Sequence, residues 1–282
     1  MAVYPEGSLN AELAKRYRDV LARSGIDLKL VPSAGAVESV ALLRDPKSAI
    51  TFALIPGGIT TEKDSPELLS LGTLFYQPLW VFSRGSLPQR QEPLGGLRVS
   101  VGPEGSSSRA LSLKLLGCAG MIDRKSATLL SLTPSESAQQ LIHGEIDVAI
   151  FLDAWESPAV QLLRSRNVDL VSITRADAFA ALYPYLNKLV LPAGVVDMAE
   201  PRPSEDVLLI ASKSSLVVRN DLHPAIQYLL LQAADEIHSM PGMFHTADQF
   251  QLLNQSTFRS APMRVSSIKR GCRSCCAISL SG

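Results

Sequence analysis

The sequence predicts an α/β protein of two similar lobes, each a mostly parallel sheet flanked by helices, joined by a hinge of two crossings. Three observations carry this: the length, the composition and an internal repeat. Domains usually run about 100–200 residues, so a chain of 282 residues accommodates two modest cores. Apolar residues make up 46% and charged residues 19%, the balance of a folded globular protein. Lys plus Arg and Asp plus Glu number 27 each, so no excess charge argues for nucleic acid or an anionic membrane surface as partner.

The repeat is the most informative feature. Val3-Tyr4-Pro5-Glu6-Gly7-Ser8 recurs as Val101-Gly102-Pro103-Glu104-Gly105-Ser106. Leu30-Val31-Pro32-Ser33 returns as Leu132-Thr133-Pro134-Ser135, and Thr51-Phe52-Ala53-Leu54-Ile55 as Asp147-Val148-Ala149-Ile150-Phe151. The three matches keep their order at offsets of 98, 102 and 96 residues. Each copy reads as strand, Gly-Ser turn, helix, strand, Pro-Ser turn, helix, strand. That is two successive βαβ crossovers, which require a parallel sheet with helices packed on it.

The elements follow from spacing and caps. Leu13, Tyr17, Val20 and Leu21 share a face of the first helix, and Gly25 lies just past its end. Thr133-Pro134-Ser135-Glu136 has the N-cap, first-turn Pro and third-position Glu of a capping box. Ser65-Pro66-Glu67 and Ser157-Pro158 are expected to open short helices in the same way. Ile226, Leu229, Leu230, Ala233 and Ile237 form a last apolar stripe. Strands are expected at 79–82, 98–101, 128–132, 148–151 and 207–210, with two strand-like runs around Ser212-Lys213-Ser214-Ser215.

The Gly- and Pro-rich stretch 84–96 and the Pro-rich stretch 192–203 read as connections. They place one lobe at residues 1–83 with 206–255, the other at 84–205, and a mobile tail at 256–282. The longest apolar runs, 49–55 and 229–234, are far shorter than the roughly 20 residues that span a bilayer. Met1-Ala2-Val3-Tyr4 runs directly into a turn, without a charged segment followed by an apolar one, as in a mature-like or trimmed chain. Cys118 is expected in the core, since free cysteine packs as a small hydrophobe. Cys272, Cys275 and Cys276 have no suitably spaced His pair beside them, so no metal is expected. No cofactor is expected either, and a monomer is.

Ligands of open parallel sheets bind beyond the carboxyl ends of the strands, where loops enter helix N-termini. The expected site therefore comprises Gly7, Ser8, Gly105, Ser106 and Ser107, whose N–H groups and hydroxyls suit a carboxylate. Ser33, Gly35 and Ala36 follow the second strand, Gly57 the third, and Asp153 and Trp155 the equivalent strand of the second copy. Tyr76 and Gln77 precede an apolar strand and could add a ring and an amide. No Gly-x-Ser-x-Gly elbow, Walker lysine, His-Glu-x-x-His pair or dinucleotide fingerprint is present. The histidines are dispersed, and His143, His223, His238 and His245 read as surface or capping residues.

The ordered set of segments resembles the TAXI group of solute-binding receptors of TRAP transporters, over roughly residues 3–250. The resemblance is carried by the Pro-Glu-Gly-Ser turns, Val31-Pro32-Ser33-Ala34-Gly35-Ala36-Val37-Glu38, Ala53-Leu54-Ile55-Pro56-Gly57-Gly58 and the stretch from Leu71 to Trp80. Gly144-Glu145-Ile146-Asp147-Val148-Ala149, Tyr183-Pro184-Tyr185-Leu186 and Leu191-Pro192-Ala193-Gly194-Val195 continue it. It implies a type II periplasmic-binding-protein fold, a periplasmic or membrane-associated extracytoplasmic location, and delivery of an organic anion or amino acid to TRAP permease subunits. The chain departs from the group in having Gln77 where Glu is frequent and Pro56-Gly57 where Gln-Gly or Gln-Ser is. Its basic, Cys-containing end also differs from the apolar end expected of relatives. The function expected is ligand capture without turnover. The alternative is an enzyme on the same fold, drawing its chemistry from Glu6, Glu104, Asp153 or Tyr76.

Overall fold

A computed structural model describes residues 1–6, 8–85, 96–118, 127–166 and 168–244. Gly7, most of the connection 84–96, and everything after Phe244, including the three C-terminal cysteines, lie outside the described residues.

The first copy of the repeat forms β1 (Ala2–Val3), α1 (Leu9–Ala22), β2 (Val31–Pro32), α2 (Ala36–Arg44) and β3 (Phe52–Pro56). β4 (Leu68–Ser83) follows. The second copy forms β5 (Arg98–Ser100), α3 (Ser107–Cys118), β6 (Thr128–Leu130), α4 (Pro134–His143) and β7 (Val148–Leu152). After it come α5 (Pro158–Arg164), β8 (Asp169–Leu170), α6 (Ala176–Leu182) and β9 (Leu186–Leu191). β10 (Val207–Arg219) and α7 (Pro224–His238) complete the chain.

The second copy folds as the repeat predicts, whereas in the first copy β3 leaves the β1–β2 pair and pairs antiparallel with β10, because that strand runs beside it. β1 pairs parallel with β2, and β5 pairs parallel with β6 and β7. The third strands alternate with a period of two and are buried on both faces, as strands covered by helices on each side must be. In β3, Phe52 and Leu54 face the α1 and α7 side while Ala53 and Ile55 join Val40 and Leu43 of α2. In β7, Val148 and Ile150 pack with Leu111 and Leu115 of α3, whereas Phe151 packs with Leu141 of α4 and Val160 of α5.

The two pairs of clusters are connected by two long antiparallel strands. β4 runs 16 residues and β10 runs 13. The first part of β4 pairs with β10, and its last part, Leu79–Ser83, pairs with β7 of the second copy. β10 pairs first with β9 through Val207–Ser212, then with β3 of the first copy through Ser214–Val218. The partners change near Gln77–Leu79 and Ser212–Ser214, so the crossings are continuous strand.

Four sequence expectations are corrected here. The runs around Ser212-Lys213-Ser214-Ser215 are one strand, whose register against β4 shifts between Ser214 and Ser215 and again between Leu216 and Val217. Ser212 and Ser214 are nearly fully buried, so hydroxyls mark an interior strand there. Ser65-Pro66-Glu67 opens no helix, because Asp64 and Ser65 N–H groups turn back onto the Thr61 carbonyl and the chain enters β4 at Leu68. Cys118 is exposed at the last residue of α3, its Sγ 3.5 Å from the Tyr183 hydroxyl. His238 stacks on Phe75 with centroids 5.5 Å apart and lies 3.2 Å from the Tyr17 hydroxyl, a packing role.

Candidate functional site

The two Pro-Glu-Gly-Ser turns have the same hydrogen bonds. The Ser8 hydroxyl donates to the Pro5 carbonyl at 2.7 Å and accepts from Ala11 N–H at 3.3 Å. The Ser106 hydroxyl donates to the Pro103 carbonyl at 2.7 Å and accepts from Arg109 N–H at 3.1 Å. Each Ser is thereby an N-cap, holding one of the N–H groups that a helix cannot satisfy internally. The expectation that these hydroxyls donate to a ligand is corrected, because each proton is already committed to a Pro carbonyl. What remains are the first-turn N–H groups behind them and the partial positive charge of the helix start.

The turns before α2 and α3 meet across the lobes. Val37 N–H donates to the Gly105 carbonyl at 3.1 Å. A Cβ on Gly35 would lie 2.9 Å from Ser106 Cα and 3.1 Å from the Gly105 carbonyl oxygen. No side chain fits there, and the φ of +153° at Gly35 also suits glycine.

Behind this contact is a cavity of about 50 Å³, small against the roughly 300–1,000 Å³ of pockets for drug-sized ligands. Ser8, Gly35, Ser106 and Thr133, the residues that lead into α1, α2, α3 and α4, all line the cavity. Their convergence follows from the topology, since each loop leaves the same end of its strand.

The opposite wall is acceptor-rich. Asp153 follows β7 directly, and its N–H donates to the Pro78 carbonyl at 3.2 Å, which sets it beside Gln77 of β4. Asp153 is 3% and Gln77 6% exposed, and both line the cavity. Asp153 Oδ1 accepts from Ala154 N–H at 2.9 Å, but Oδ2 has no partner, and neither has Gln77 Oε1. Among the described residues only one further buried side-chain polar atom, Ser112 Oγ, lacks a partner. Buried polar groups are rarely left unpaired, and unpaired ones are costly. Burial pushes the Asp153 carboxyl up to about 7, against the opposing pull of the Ala154 N–H and the Ser157 hydroxyl.

Of the predicted site residues, Ser8, Gly35, Ala36, Gln77, Ser106, Ser107 and Asp153 line this cavity. Gly105 contributes the carbonyl that closes it. Gly7 lies outside the described residues. Four residues are placed elsewhere. The Ser33 hydroxyl is 2.8 Å from that of Ser39 and 3.3 Å from the Val3 carbonyl, tying α2 to β1. Gly57 is occupied by β10, its N–H bonded to the Lys213 carbonyl at 3.0 Å and its carbonyl to the Ser212 hydroxyl at 3.0 Å. Tyr76 alternates with Gln77 and so points to the other face of β4, where Lys213 Nζ stands 5.4 Å from its ring centroid. Trp155 packs against Trp80 and Phe244 in the second-copy core, with Arg164 over its ring at 4.4 Å. Sequence reasoning missed Tyr4, Asn10 and the Thr133–Ser135 turn as cavity lining. The capping box at Thr133 was a visible signal for a helix start at the right end of β6.

A second cavity, about 300 Å³, lies behind Trp80 and Trp155 and is bordered by Arg164, Arg166 and Arg202. It is the larger, but none of the unpartnered buried side-chain atoms lines it. Chemistry and topology both favour the smaller cavity between the turns. Among the described residues no group of three or more His, Cys, Asp or Glu is placed to hold a metal ion. Among them, too, no helix is long and apolar enough to cross a membrane.

Two β-α-β-α-β units, two strands crossing between them, and a polar cavity at the facing helix starts define the periplasmic-binding-protein class of fold. The protein of known structure called periplasmic binding protein BugD shares it, with a TM-score of 0.51 at 13% identity over 84% of this chain and 82% of its own. A protein of Bordetella bronchiseptica RB50 shares it with a TM-score of 0.55 at 15% identity, over 84% of this chain and 69% of its own. The chain matches the NMT1-like family over residues 8–265 and belongs to that family. No curated protein sequence matches it significantly.

Proposed function

We propose that this protein is an extracytoplasmic solute-binding receptor that captures a small carboxylate or amino acid between two lobes and presents it to a TRAP-type membrane permease. The observation that carries the reading is the cavity at the facing turns: four helix N-termini converge on a space lined by two buried polar side chains, each with one unpartnered oxygen. Among the described residues neither oxygen has a hydrogen-bond partner. Family membership and the fold shared with BugD support a binding role without turnover. The TRAP assignment rests on the TAXI-like segments, notably those around Val31–Glu38 and Leu71–Trp80.

In this reading residues 1–83 with 206–255 form one lobe and 84–205 the other. Bending at the partner changes within β4 and β10 opens the cleft, a hinge closure of the kind that ligand-binding lobes use. Native mass spectrometry of gently purified protein tests the capture, with a co-purified small molecule as the expected result. Small-angle scattering tests closure: a radius of gyration unchanged by every carboxylate and amino acid offered contradicts the receptor reading. Reconstitution with TRAP membrane subunits in vesicles, followed by uptake of the identified solute, tests the permease.

A further inference from the structure

We propose that the larger cavity, behind Trp80 and Trp155, is a second binding site of this protein, for a small organic oxyanion carried on an apolar body. The two cavities share no lining residue among those described, so this site does not depend on the receptor reading.

The cavity has about 300 Å³, the lower end of the range for small-molecule pockets. Half-buried Val168, Leu170, Val196 and Pro203 give it apolar wall. Its polar lining includes three guanidinium groups, from Arg164, Arg166 and Arg202. Each presents a planar fork of donors that matches the oxygens of a carboxylate, sulfonate or phosphate.

These cations are poorly neutralised by the chain itself. Arg202 has Asp197 at 4.0 Å, the limit of an ion pair. Arg164 and Arg166 have no carboxylate within that distance among the described residues. Arg164 lies over the Trp155 ring at 4.4 Å and donates to the Gln161 amide oxygen, so its fork is held by packing. Burial lowers the affinity of this guanidinium for its proton, while Glu156 pulls the other way. Asp169 is the one acidic residue that lines the cavity among those described. Residues 245–282 contain five Lys or Arg and a single acidic residue, Asp248, so the remainder of the chain is also net positive. The counter-charge is therefore assigned to a ligand.

The chain has two tryptophans and both line this cavity, so their emission reports on it. The test is titration of the full chain with hexanoate, hexane-1-sulfonate, acetate, hexylammonium and hexan-1-ol, read by tryptophan fluorescence in low-salt buffer. The expected result is a saturable change with both six-carbon anions, weakened by added salt, and none with the ammonium or the alcohol at the same concentrations. Acetate, which lacks the apolar body, is expected to bind at least about tenfold more weakly than hexanoate. Arg166→Gln combined with Arg202→Gln is expected to weaken binding of both six-carbon anions at least about tenfold. Gly35→Val, which acts on the cleft, is expected to leave it unchanged.

An equal response to hexylammonium or hexan-1-ol, equal affinity for acetate, or binding undiminished in the paired arginine variant overturns the proposal. So does a response lost in Gly35→Val, which assigns the signal to the cleft, or the lack of any saturable response in the wild-type chain. Each of these outcomes leaves the receptor reading standing. Arg166 is exposed, so Arg166→Gln alone keeps the comparison if the paired variant fails to fold.

Discussion

Gly57-Gly58 and Asp153-Ala154 follow the third strand in the two copies of the repeat, yet only Asp153 lines the cavity. After β3 the neighbouring strand is β10, whose Ser212 and Lys213 take both the N–H and the carbonyl of Gly57. The Tyr185 ring then covers Gly58, and Lys114 Nζ anchors the Tyr185 hydroxyl at 2.9 Å. After β7 the neighbour is β4, which also takes both the Asp153 N–H, on the Pro78 carbonyl, and the Asp153 carbonyl, from Trp80 Nε1 at 2.9 Å, while the side chain lines the cavity. The same strand-end position is therefore covered by neighbouring chain in one copy and lines the cavity in the other. The difference lies in which crossing strand runs beside it.

The contrast predicts that the covered turn matters for stability and the open turn for binding. The Asp153 carboxyl is held near 7 in the folded chain and returns to about 3.9 on unfolding. The folded state thus holds the extra proton. The resulting stability is full below about pH 4 and lost as pH rises through about 7, on the order of 4 kcal/mol in all. Asp153→Asn is expected to unfold at higher urea than wild type at pH 8 by about that free energy, with the gap closing toward pH 4. A gap independent of pH, measured by denaturant titration across this range, would refute the assignment.

The next effect concerns closure. Gly35→Val puts side-chain atoms against the Ser106 backbone and is expected to weaken solute binding about a hundredfold, about 2.7 kcal/mol. Scattering should show no compaction of this variant, while its circular dichroism matches wild type. Compaction equal to wild type would mean that the turns do not meet in the closed state.

At the covered turn, a methyl on Gly58 would overlap the Tyr185 ring at a φ of +88°. Gly58→Ala is expected to cost about 2 kcal/mol, partly from strain and partly from displacing the ring. Adding Tyr185→Ala should remove the steric part, so the double-mutant cycle should be strongly non-additive. Additive losses would show that Tyr185 does not rest on Gly58. The smallest effect is at the α4 cap, where Thr133 accepts Glu136 N–H and Glu136 reaches back to Thr133 N–H at 2.8 Å. Thr133→Ala should cost about 1 kcal/mol, read from thermal melts.

Local signals were legible in the sequence wherever chemistry and structure lie close together along the chain. The Pro-Glu-Gly-Ser recurrence, the Thr133–Glu136 box and the alternating strands specified both β-α-β-α-β units. They also placed Ser8, Gly35, Ala36, Ser106 and Ser107 at helix starts that converge on the cavity. Gln77 and Asp153 were legible as turn and strand-end polar residues. Their unpaired oxygens were not, because an orphan is defined by what surrounds it.

What only the tertiary structure decided is how the copies are joined and which turns stay open. The Ser212–Ser215 run looks like a break in a strand, but a polar run can stay in a strand when its hydroxyls find buried partners, as Ser212 does on the Gly57 carbonyl. That continuity carries β10 past β3, covers Gly57 and Gly58, and turns Tyr76 away from the cleft while Gln77 faces into it. Trp155 went to the core for a similar reason, since Trp80 and Phe244 arrive from distant parts of the chain to pack on it. The sequence determined the units and their helix starts through short-range periodicity and capping. The site's chemistry depended on long-range strand neighbours, which no local pattern encodes.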